Sequence, residues 1–211
     1  MAYIANTAFE VKVSNHEFDS IANITGIFRN ASDTEEICSA GFLCTRDELT
    51  VNEGYNEVGP SGATVTLYNT NTWYMKAAES TDLAQAAIYA CNPFDVNMLV
   101  DGVTNAVYKV GSNTLGLAAP AGYPTTFTQI LFNNVNVYRF GVGNINGEVS
   151  TNTFFTIAAG LLVPAATAPS TVNGAPYFEL VRTGNFTQGA YNGFAYYDLR
   201  ACTAVITSAG E

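Results

Sequence analysis

The sequence predicts an all-β protein, either an antiparallel β-sandwich or a barrel-like sheet, with long Gly- and Asn-rich loops and at most one short helix. Short β-prone runs recur along the 211 residues and are separated by Gly, Asn and Pro, which is typical of these folds. The 12 Tyr and 13 Phe also favour strands. The charged fraction of 12% is about half the usual ~25%, so we expect a polar but weakly charged surface.

The first predicted strands lie in the N-terminal part of the chain. Ala8–Val13 alternates apolar and charged side chains, which is the pattern of a half-buried strand. Ile21–Phe28 and Ile37–Cys44 are two further apolar runs, and a polar, acidic loop separates them. Arg46–Ala63 has the composition of an exposed loop, because it contains charged residues and several turn-forming Gly and Pro residues.

The middle of the chain contains the one helix candidate. Thr64–Tyr68 and Trp73–Ala77 predict strands. Asp82–Tyr89 predicts a short helix, with a capping residue at its start. Because this apolar run continues into Ala90 and Cys91, the same residues are equally compatible with a strand.

Residues 126–164 predict the central meander of the fold. The β-prone runs Phe127–Phe132 and Val135–Val142 are separated by Asn133 and Asn134, and this pair predicts a tight hairpin because Asn tolerates positive φ. Alternate side chains of the second run share a face: Tyr138, Phe140 and Val142 against Val135, Val137 and Arg139.

The rest of the meander and the closing strands follow in order. Asn146-Gly147 predicts a second hairpin. Phe154–Ile157 and Leu161–Val163 predict the next two strands. Three more predicted strands close the chain: Tyr177–Arg182, Gly193–Leu199 and Ala204–Thr207.

The chain divides into an acidic N-terminal β-module, residues 1–110, and a C-terminal β-module, residues 125–211, with a joint at residues 111–124. The joint contains the linker-like segment Pro120–Pro124. An internal echo supports two related modules, since Asn71–Ala78 and Asn152–Ala159 both read N-T-aromatic-aromatic-x-x-A-A. The alternatives are one continuous domain and a chance similarity between two strands.

The net charge of −10 is concentrated in the N-terminal half. Residues 1–101 hold 14 acidic and 4 basic side chains, whereas residues 102–211 hold 4 of each. The acidic stretch Asp33–Glu57 is interpreted as a solvated loop, with calcium binding or a basic partner as alternatives. The sequence predicts no nucleic-acid binding, because the 8 Lys and Arg residues are scattered and not clustered against phosphates.

The expected cellular compartment predicts the oxidation state of the four cysteines. No apolar run approaches the ~20 residues of a transmembrane helix, so we expect no membrane insertion. The N-terminus lacks the pattern of a secretory signal and is interpreted as a cytoplasmic start. Cys38, Cys44, Cys91 and Cys202 are therefore predicted to be free, buried thiols, with a Cys38–Cys44 bridge as the alternative for a protein that works outside a cell.

No catalytic or metal-binding motif is found, and the sequence predicts no enzyme, no cofactor and no metal. The one histidine, His16, lies in a predicted turn. Gly141-Val142-Gly143 resembles the start of a dinucleotide fingerprint, but its third Gly comes one residue late and no helix follows. Paired carboxylates for glycoside hydrolysis have no sequence spacing of their own, because their pairing is spatial. Glu179 and Asp198 are interpreted instead as outward strand residues that pair with Arg182 or Arg200.

A resemblance to a known class of proteins covers most of the chain. Its recurring phrases are the start MAYIANTAFEVKVSNHEFDSIANITGIF, then ICSAGFLC, NTNTWYMKAA, AIYACNP, NTLGLAAPAG, VYRFGVGN, NTFFTIAAGLLVPAA and YFELVRTGNFTQG. Together they resemble the small virion proteins encoded in the head-gene modules of tailed bacteriophages and prophages. The resemblance implies a non-enzymatic structural subunit, of the capsid-decoration (cement) or head-fibre type, that is made in the host cytoplasm and incorporated into the virion.

The resemblance also implies partners. These are the major capsid protein or other virion subunits, with the chain as a homo-oligomer. We expect the N-terminal segment Ala2–Phe9 to be the arm that binds them, and its candidate contact residues are Ala2, Tyr3, Ile4 and Phe9. One alternative is a carbohydrate-binding β-sandwich of a tail or surface adhesin, lined by Tyr55, Tyr68, Tyr74, Tyr191 and Tyr196. A second alternative is a tail-tube or tail-completion subunit.

Overall fold

The computed structural model describes residues 12–15, 23–49, 55–58, 64–67, 72–82, 87–92, 118–149, 153–168, 174–187 and 193–204. Within these ranges the chain forms β-strands, one short 3₁₀ turn at Val142–Asn144 and no α-helix, which confirms the predicted all-β fold. The strands build a closed five-stranded barrel, a six-stranded sheet and two small two-stranded sheets.

The strands are numbered in chain order. Their bounds are β1 Lys12–Asn15, β2 Asn23–Phe28, β3 Cys38–Ser39, β4 Leu43–Leu49, β5 Tyr55–Val58, β6 Thr64–Leu67, β7 Thr72–Ala77, β8 Ile88–Asn92, β9 Ala118–Ala119, β10 Thr125–Ile130, β11 Val137–Gly141, β12 Phe154–Ala158, β13 Leu161–Ala165, β14 Pro176–Asn185 and β15 Ala195–Thr203.

The barrel closes in the order β10-β2-β7-β4-β8. β2 and β7 run parallel, and the other neighbours are antiparallel. A parallel pair needs a long crossover, and β4 with the β5–β6 hairpin lies between these two strands in the chain. The barrel interior is a cluster of aromatic and sulfur side chains: Phe28, Phe42, Cys44, Met75, Tyr89, Cys91 and Phe127.

The six-stranded sheet is antiparallel, in the order β1-β11-β15-β14-β12-β13. Alternate residues of its strands face the barrel and are buried, because each strand has a period of two. They form a second core with apolar residues from β4, β8 and β10, and its largest sheet members are Tyr138, Phe140, Phe155, Ile157, Leu162, Phe178 and Leu199.

β8 belongs to both cores. Ile88 and Ala90 pack in the cluster that faces the sheet, whereas Tyr89 and Cys91 pack in the barrel interior. All four are buried. A strand that is covered on both faces has no need of polar alternation, which explains the continuous apolar run IYAC.

The turn of the β12–β13 hairpin connects the sheet to the barrel side by backbone hydrogen bonds. Its turn residues Ala159 and Gly160 both have positive φ, at 47° and 76°, as tight hairpin turns require. The Leu43 N–H donates to the Gly160 carbonyl at 2.9 Å, and the Gly160 N–H donates to the Ala78 carbonyl at 2.9 Å. The Phe42 ring packs so closely that a Cβ on Gly160 would overlap it.

Asn144 makes a second connection between sheet and barrel. Its side chain is buried, and its Oδ1 accepts the Gly141 N–H at 3.2 Å. Its Nδ2 donates to the Ala40 carbonyl, in the segment between β3 and β4, at 2.8 Å. In Gly141-Val142-Gly143, Gly141 therefore ends β11 and Gly143 lies buried in the 3₁₀ turn that follows.

The predicted hairpin between Phe127–Phe132 and Val135–Val142 is wrong in its pairing. Both runs contain strands, but β10 pairs with β2 and β8, whereas β11 pairs with β1 and β15. A strand in a closed barrel has both edges occupied, so β10 has no edge left for β11. Asn134 does adopt a positive φ of 63°, but its turn leads the chain from the barrel to the sheet.

The remaining predicted meander is confirmed in part. Phe154–Ile157 and Leu161–Val163 form the paired strands β12 and β13. The second predicted hairpin, at Asn146-Gly147, is wrong, because β15 and β14 lie between β11 and β12 in the sheet. The segment instead runs beside β13, where the Asn146 N–H donates to the Leu162 carbonyl at 2.7 Å.

The predicted helix over Asp82–Tyr89 is wrong at its end, since Ile88–Asn92 is strand β8. Residues 83–86 lie outside the described residues. Burial on both sides of β8 favours the strand, which was the alternative for this run.

The strand pairing links the two predicted modules. β10, from residues 125–211, closes the barrel with strands from residues 1–110, and β1 joins the sheet of C-terminal strands. The two echo segments are both strands, β7 and β12, but they bury opposite alternations: Met75 is buried where Thr156 is half-buried, and Ile157 is buried where Lys76 is half-buried. The echo therefore does not correspond to equivalent packing.

Candidate functional site

Three charged residues meet on the face of the six-stranded sheet that points away from the barrel. In the strand register, Arg139 lies opposite Asp198, and Asp198 lies opposite Arg182. A β-bulge between Leu180 and Arg182 shifts the alternation of β14 by one residue. Without that extra residue, Arg182 would point to the same side as the core residue Leu180. The bulge therefore creates the cluster.

The Asp198 carboxylate binds both guanidinium groups. Arg139 donates from Nε to Oδ1 at 2.7 Å and from Nη2 to Oδ2 at 3.0 Å, and Arg182 donates from Nε to Oδ2 at 2.9 Å. The two arginines leave the Asp198 side chain only 1% exposed. Burial raises the pKa of Asp198, but the hydrogen bonds from Arg139 and Arg182 outweigh it and the pKa is lowered. Two cations share one anion, so the cluster carries a net positive charge.

An aromatic side chain supports Arg139 from the other side. The Arg139 guanidinium carbon lies 3.9 Å from the centroid of the Tyr196 ring, a cation–π distance. The Phe186 ring packs against the same tyrosine, with 5.1 Å between centroids. Gly184 lies opposite Tyr196 on β14, and a Cβ there would overlap the phenol. The glycine therefore makes room for the ring that holds Arg139.

The prediction that Glu179 and Asp198 are outward residues paired with arginines is confirmed. Glu179 accepts from Arg200 Nη1 at 3.0 Å, and Asp198 binds Arg182. Sequence reasoning placed Arg139 on the face of its strand opposite Tyr138 and Phe140 but missed its role, because no local signal shows that β11 lies beside β15. The lowered pKa of Asp198 is opposite to the raised pKa that a general acid needs.

The exposed large apolar side chains among the described residues form two groups. Ile37 is 54% exposed and Tyr123 60% exposed, and they flank the small β3–β9 sheet. Val142 is 37% exposed and follows β11, and Val181 is 48% exposed and is the bulged residue next to Arg182.

The first group lies beside a rigid acidic turn. The Asn30 Oδ1 accepts the N–H groups of Ser32 and Thr34, at 2.9 and 3.1 Å. Asp33 and Glu35 are exposed on this turn. A Cβ on Gly122, the neighbour of Tyr123, would lie 2.6 Å from Glu35 Oε2, so the acidic turn and the Tyr123 segment are adjacent.

The four cysteines are free thiols and are buried, as predicted. Cys38, Cys44 and Cys91 belong to the barrel interior, where the Cys91 thiol donates to the Cys38 carbonyl at 3.8 Å. Burial raises the pKa of all three, which keeps them protonated. They act as small apolar groups in the barrel core.

Several sequence-predicted residues lie outside the described part of the chain: Ala2, Tyr3, Ile4, Phe9, His16, Tyr68 and Tyr191, together with the side chain of Tyr55. The structure does not bring Tyr74 and Tyr196 together, because Tyr74 is in the barrel and Tyr196 is in the six-stranded sheet. The Arg29 guanidinium carbon covers the Tyr74 ring at 3.0 Å from its centroid.

Searches for a metal site and a membrane-spanning helix among the described residues, and for related proteins, all gave negative results. In the described part of the chain, no group of His, Cys, Asp and Glu is arranged to hold a metal ion. No helix among the described residues has the length and apolar character to cross a membrane. Comparison with protein-family models, curated proteins and solved structures finds no match to this chain.

Proposed function

We propose that the chain is a non-enzymatic structural subunit of a tailed-phage virion, which binds the outside of the capsid as a decoration (cement) or head-fibre-like protein. The position of β1 supports this proposal. β1 stands at one end of the strand order of the six-stranded sheet. The residues that precede it, including Ala2, Tyr3, Ile4 and Phe9, therefore lead into an edge of the sheet and not into a central strand. Sheet edges and their leading segments are common sites of partner binding.

A short N-terminal arm is sufficient for capsid binding because the capsid repeats the same binding site many times. One apolar segment of a few residues binds weakly, since ordering the segment costs conformational entropy. On a capsid, the major capsid protein repeats the same site with symmetry, and linked copies of the subunit multiply the affinity of each arm. The subunit is made in the host cytoplasm and works in the virion.

The first experiment counts the subunit in particles. Quantitative mass spectrometry of purified particles from the source strain is expected to give many copies, in a fixed ratio to the major capsid protein. A few copies per particle would favour the tail-tube or tail-completion alternative. Absence from particles would refute the proposal and make the carbohydrate-binding module the leading alternative, which a glycan array then tests.

The second experiment tests the arm. Deletion of residues 2–7 is expected to abolish binding of the purified subunit to undecorated capsids, with the same thermal unfolding as the intact chain. Deletion of residues 206–211 removes six residues from the other end and serves as the control. Substitution of Tyr3 and Ile4 by Ser tests the same contacts at full length, and Phe9→Ser tests the arm residue that the deletion retains. Unchanged capsid binding by the deletion would refute the arm.

A further inference from the structure

We propose that the chain binds a second copy of itself head to tail, through the acidic turn of one copy and the arginine face of the next. The acidic turn comprises residues 30–37 with the adjacent Tyr123. The arginine face comprises the outward side chains Arg139, Arg182 and Arg200, with Val181 next to Arg182 on β14. This inference does not depend on the virion assignment, because both surfaces are described within one chain.

Charge complementarity identifies the partner surface. The chain has a net charge of −10, yet the arginine face holds three of its 8 basic residues against two carboxylates, those of Glu179 and Asp198. Arg182 is the most accessible of these cations, with a side chain 59% exposed. Only its Nε and Nη2 groups bind Asp198, so Nη1 is directed to no acceptor within the described residues. A further carboxylate is the natural ligand of such a donor.

The acidic turn presents such carboxylates. Asp33 and Glu35 are exposed there, and the Asp33 side chain is 67% exposed even with Lys76 at 3.5 Å. Glu35 is exposed as well, and its carboxylate lies beside Gly122. The acidic turn of a second copy therefore supplies carboxylates that Arg182 on the arginine face can bind.

The apolar residues divide in the same way. Ile37 and Tyr123 accompany the acidic turn, and Val181 accompanies Arg182. Interfaces combine an apolar centre with charged groups around it, and each of these surfaces has both parts. Charge complementarity sets the orientation of the two copies, and apolar burial adds affinity.

Both surfaces are held rigid before contact. The Asn30 side chain closes the acidic turn with hydrogen bonds to the N–H groups of Ser32 and Thr34. Asp198 and Tyr196 hold Arg139, and Asp198 holds Arg182. Groups that are already ordered lose little entropy on binding.

The contact is heterologous, because the acidic turn is on the barrel side and the arginine face is on the six-stranded sheet. A heterologous contact leaves one free surface of each kind in every pair. The copies then add on until a ring closes, or they continue as an open chain. Sedimentation measures the number of copies in each species.

Sedimentation velocity over a range of protein concentrations, at about 0.15 M salt, tests the inference, since this salt screens distant charges but not contacts. The wild-type chain is expected to form dimers and larger species. Arg182→Glu and Glu35→Arg are each expected to weaken association at least about tenfold. An equimolar mixture of the two variants is expected to restore dimers, because the unchanged Glu35 of one variant meets the unchanged Arg182 of the other. It is also expected to restore larger species, because the new carboxylate at position 182 then meets the new guanidinium at position 35.

Arg46→Glu is the matched control, because it makes the same change of net charge at an exposed barrel arginine. Val181→Asp changes the arginine face without removing an ion pair, and it tests the surface if Arg182→Glu unfolds the chain. Thermal unfolding is measured for every variant. A monomeric wild type at all concentrations would overturn the inference. So would equal effects of Arg182→Glu and Arg46→Glu, or no restoration in the mixture of two folded variants, and either result would assign the association to another surface.

Discussion

The barrel and the six-stranded sheet differ in how far apart their strands lie in the chain. Four of the six sheet strands, β12 to β15, are consecutive, and two hairpin pairs, β12–β13 and β14–β15, join neighbours in sequence. The barrel places β2 beside β7 and closes β8 on β10. Local patterns can therefore predict parts of the sheet, whereas the barrel depends on contacts between distant segments.

The two regions also differ in chemistry. The barrel interior is apolar, with thiols and aromatic rings, and its stability comes from excluding water. The outer face of the sheet uses charged hydrogen bonds around Asp198, which depend on pH. We expect the barrel to be insensitive to pH and the sheet to lose part of its stability in acid.

The largest expected difference is in thiol protection. Cys38, Cys44 and Cys91 should react with an alkylating reagent at least about a thousandfold more slowly than in the unfolded chain, because the barrel must open first. Cys202 is near the end of β15 and should react sooner through local opening. Mass spectrometry of alkylated peptides, with and without denaturant, gives the four rates. Similar rates for Cys202 and the barrel thiols would contradict this distinction.

Gly160→Ala tests the contact between the β12–β13 turn and Phe42. The new Cβ would overlap the Phe42 ring at a positive φ of 76°, so we expect the free energy of unfolding to fall by about 3 kcal/mol in urea titrations. Gly193→Ala is the matched control, because φ is 89° there but no atom lies within 4 Å of the new Cβ. It should cost about 1 kcal/mol. Equal costs would show that the Phe42 contact is unimportant.

Asp198→Asn tests the charge cluster. At pH 7 it should lower the free energy of unfolding by about 2 kcal/mol, because charged hydrogen bonds from two arginines are lost. The pKa of Asp198 is lowered in the fold, so its contribution is complete above the unfolded pKa of about 3.9 and disappears as pH falls through the lower folded value. The difference between wild type and variant should therefore shrink below about pH 4.

Glu179→Gln is the control for that measurement. Glu179 and Arg200 form an exposed pair, and such pairs contribute about 0.5 kcal/mol or less. If both variants lose the same stability at pH 7, then the burial of Asp198 has no energetic importance.

The last prediction is an increase in the free energy of unfolding. The Thr125 hydroxyl is buried in the barrel and has no hydrogen-bond partner among the described residues. Thr125→Val should therefore raise the free energy of unfolding by about 1 kcal/mol. Thr156→Val in the sheet is the matched control, since the Thr156 hydroxyl donates to the Val163 carbonyl at 3.5 Å. That variant should be neutral or slightly destabilising, and a loss of stability for Thr125→Val would contradict the prediction.

Much of the fold was predictable at the level of single strands. Alternation put Tyr138 and Phe140 on one face of β11 and Arg139 on the other, and the structure buries Tyr138 and Phe140. The pairing of β10 with β11 was wrong, because an Asn-Asn turn indicates a change of direction but not which strand is the neighbour. The run Asp82–Tyr89 was ambiguous, because an apolar run without alternation suits a helix and a doubly buried strand equally.

The candidate surfaces were predictable in part. Glu179 and Asp198 could be paired with Arg182 and Arg200, because outward acids and bases on neighbouring strands attract each other. The bulge at Val181, which brings Arg182 to Asp198, has no signal in the sequence. Nor does the sequence show that Ile37 and Tyr123 lie at one small sheet.

The sequence by itself determined the all-β class, the positions of most strands, the free thiols and the outward acids, because these depend on local periodicity and side-chain chemistry. The tertiary structure alone decided the strand order, the closure of the barrel and the Arg139–Asp198–Arg182 cluster. These features depend on which strands pair along their edges. Backbone hydrogen bonds do not distinguish one strand from another, because every residue offers the same N–H and C=O groups. The neighbour of each strand is therefore selected by side-chain packing in the whole fold.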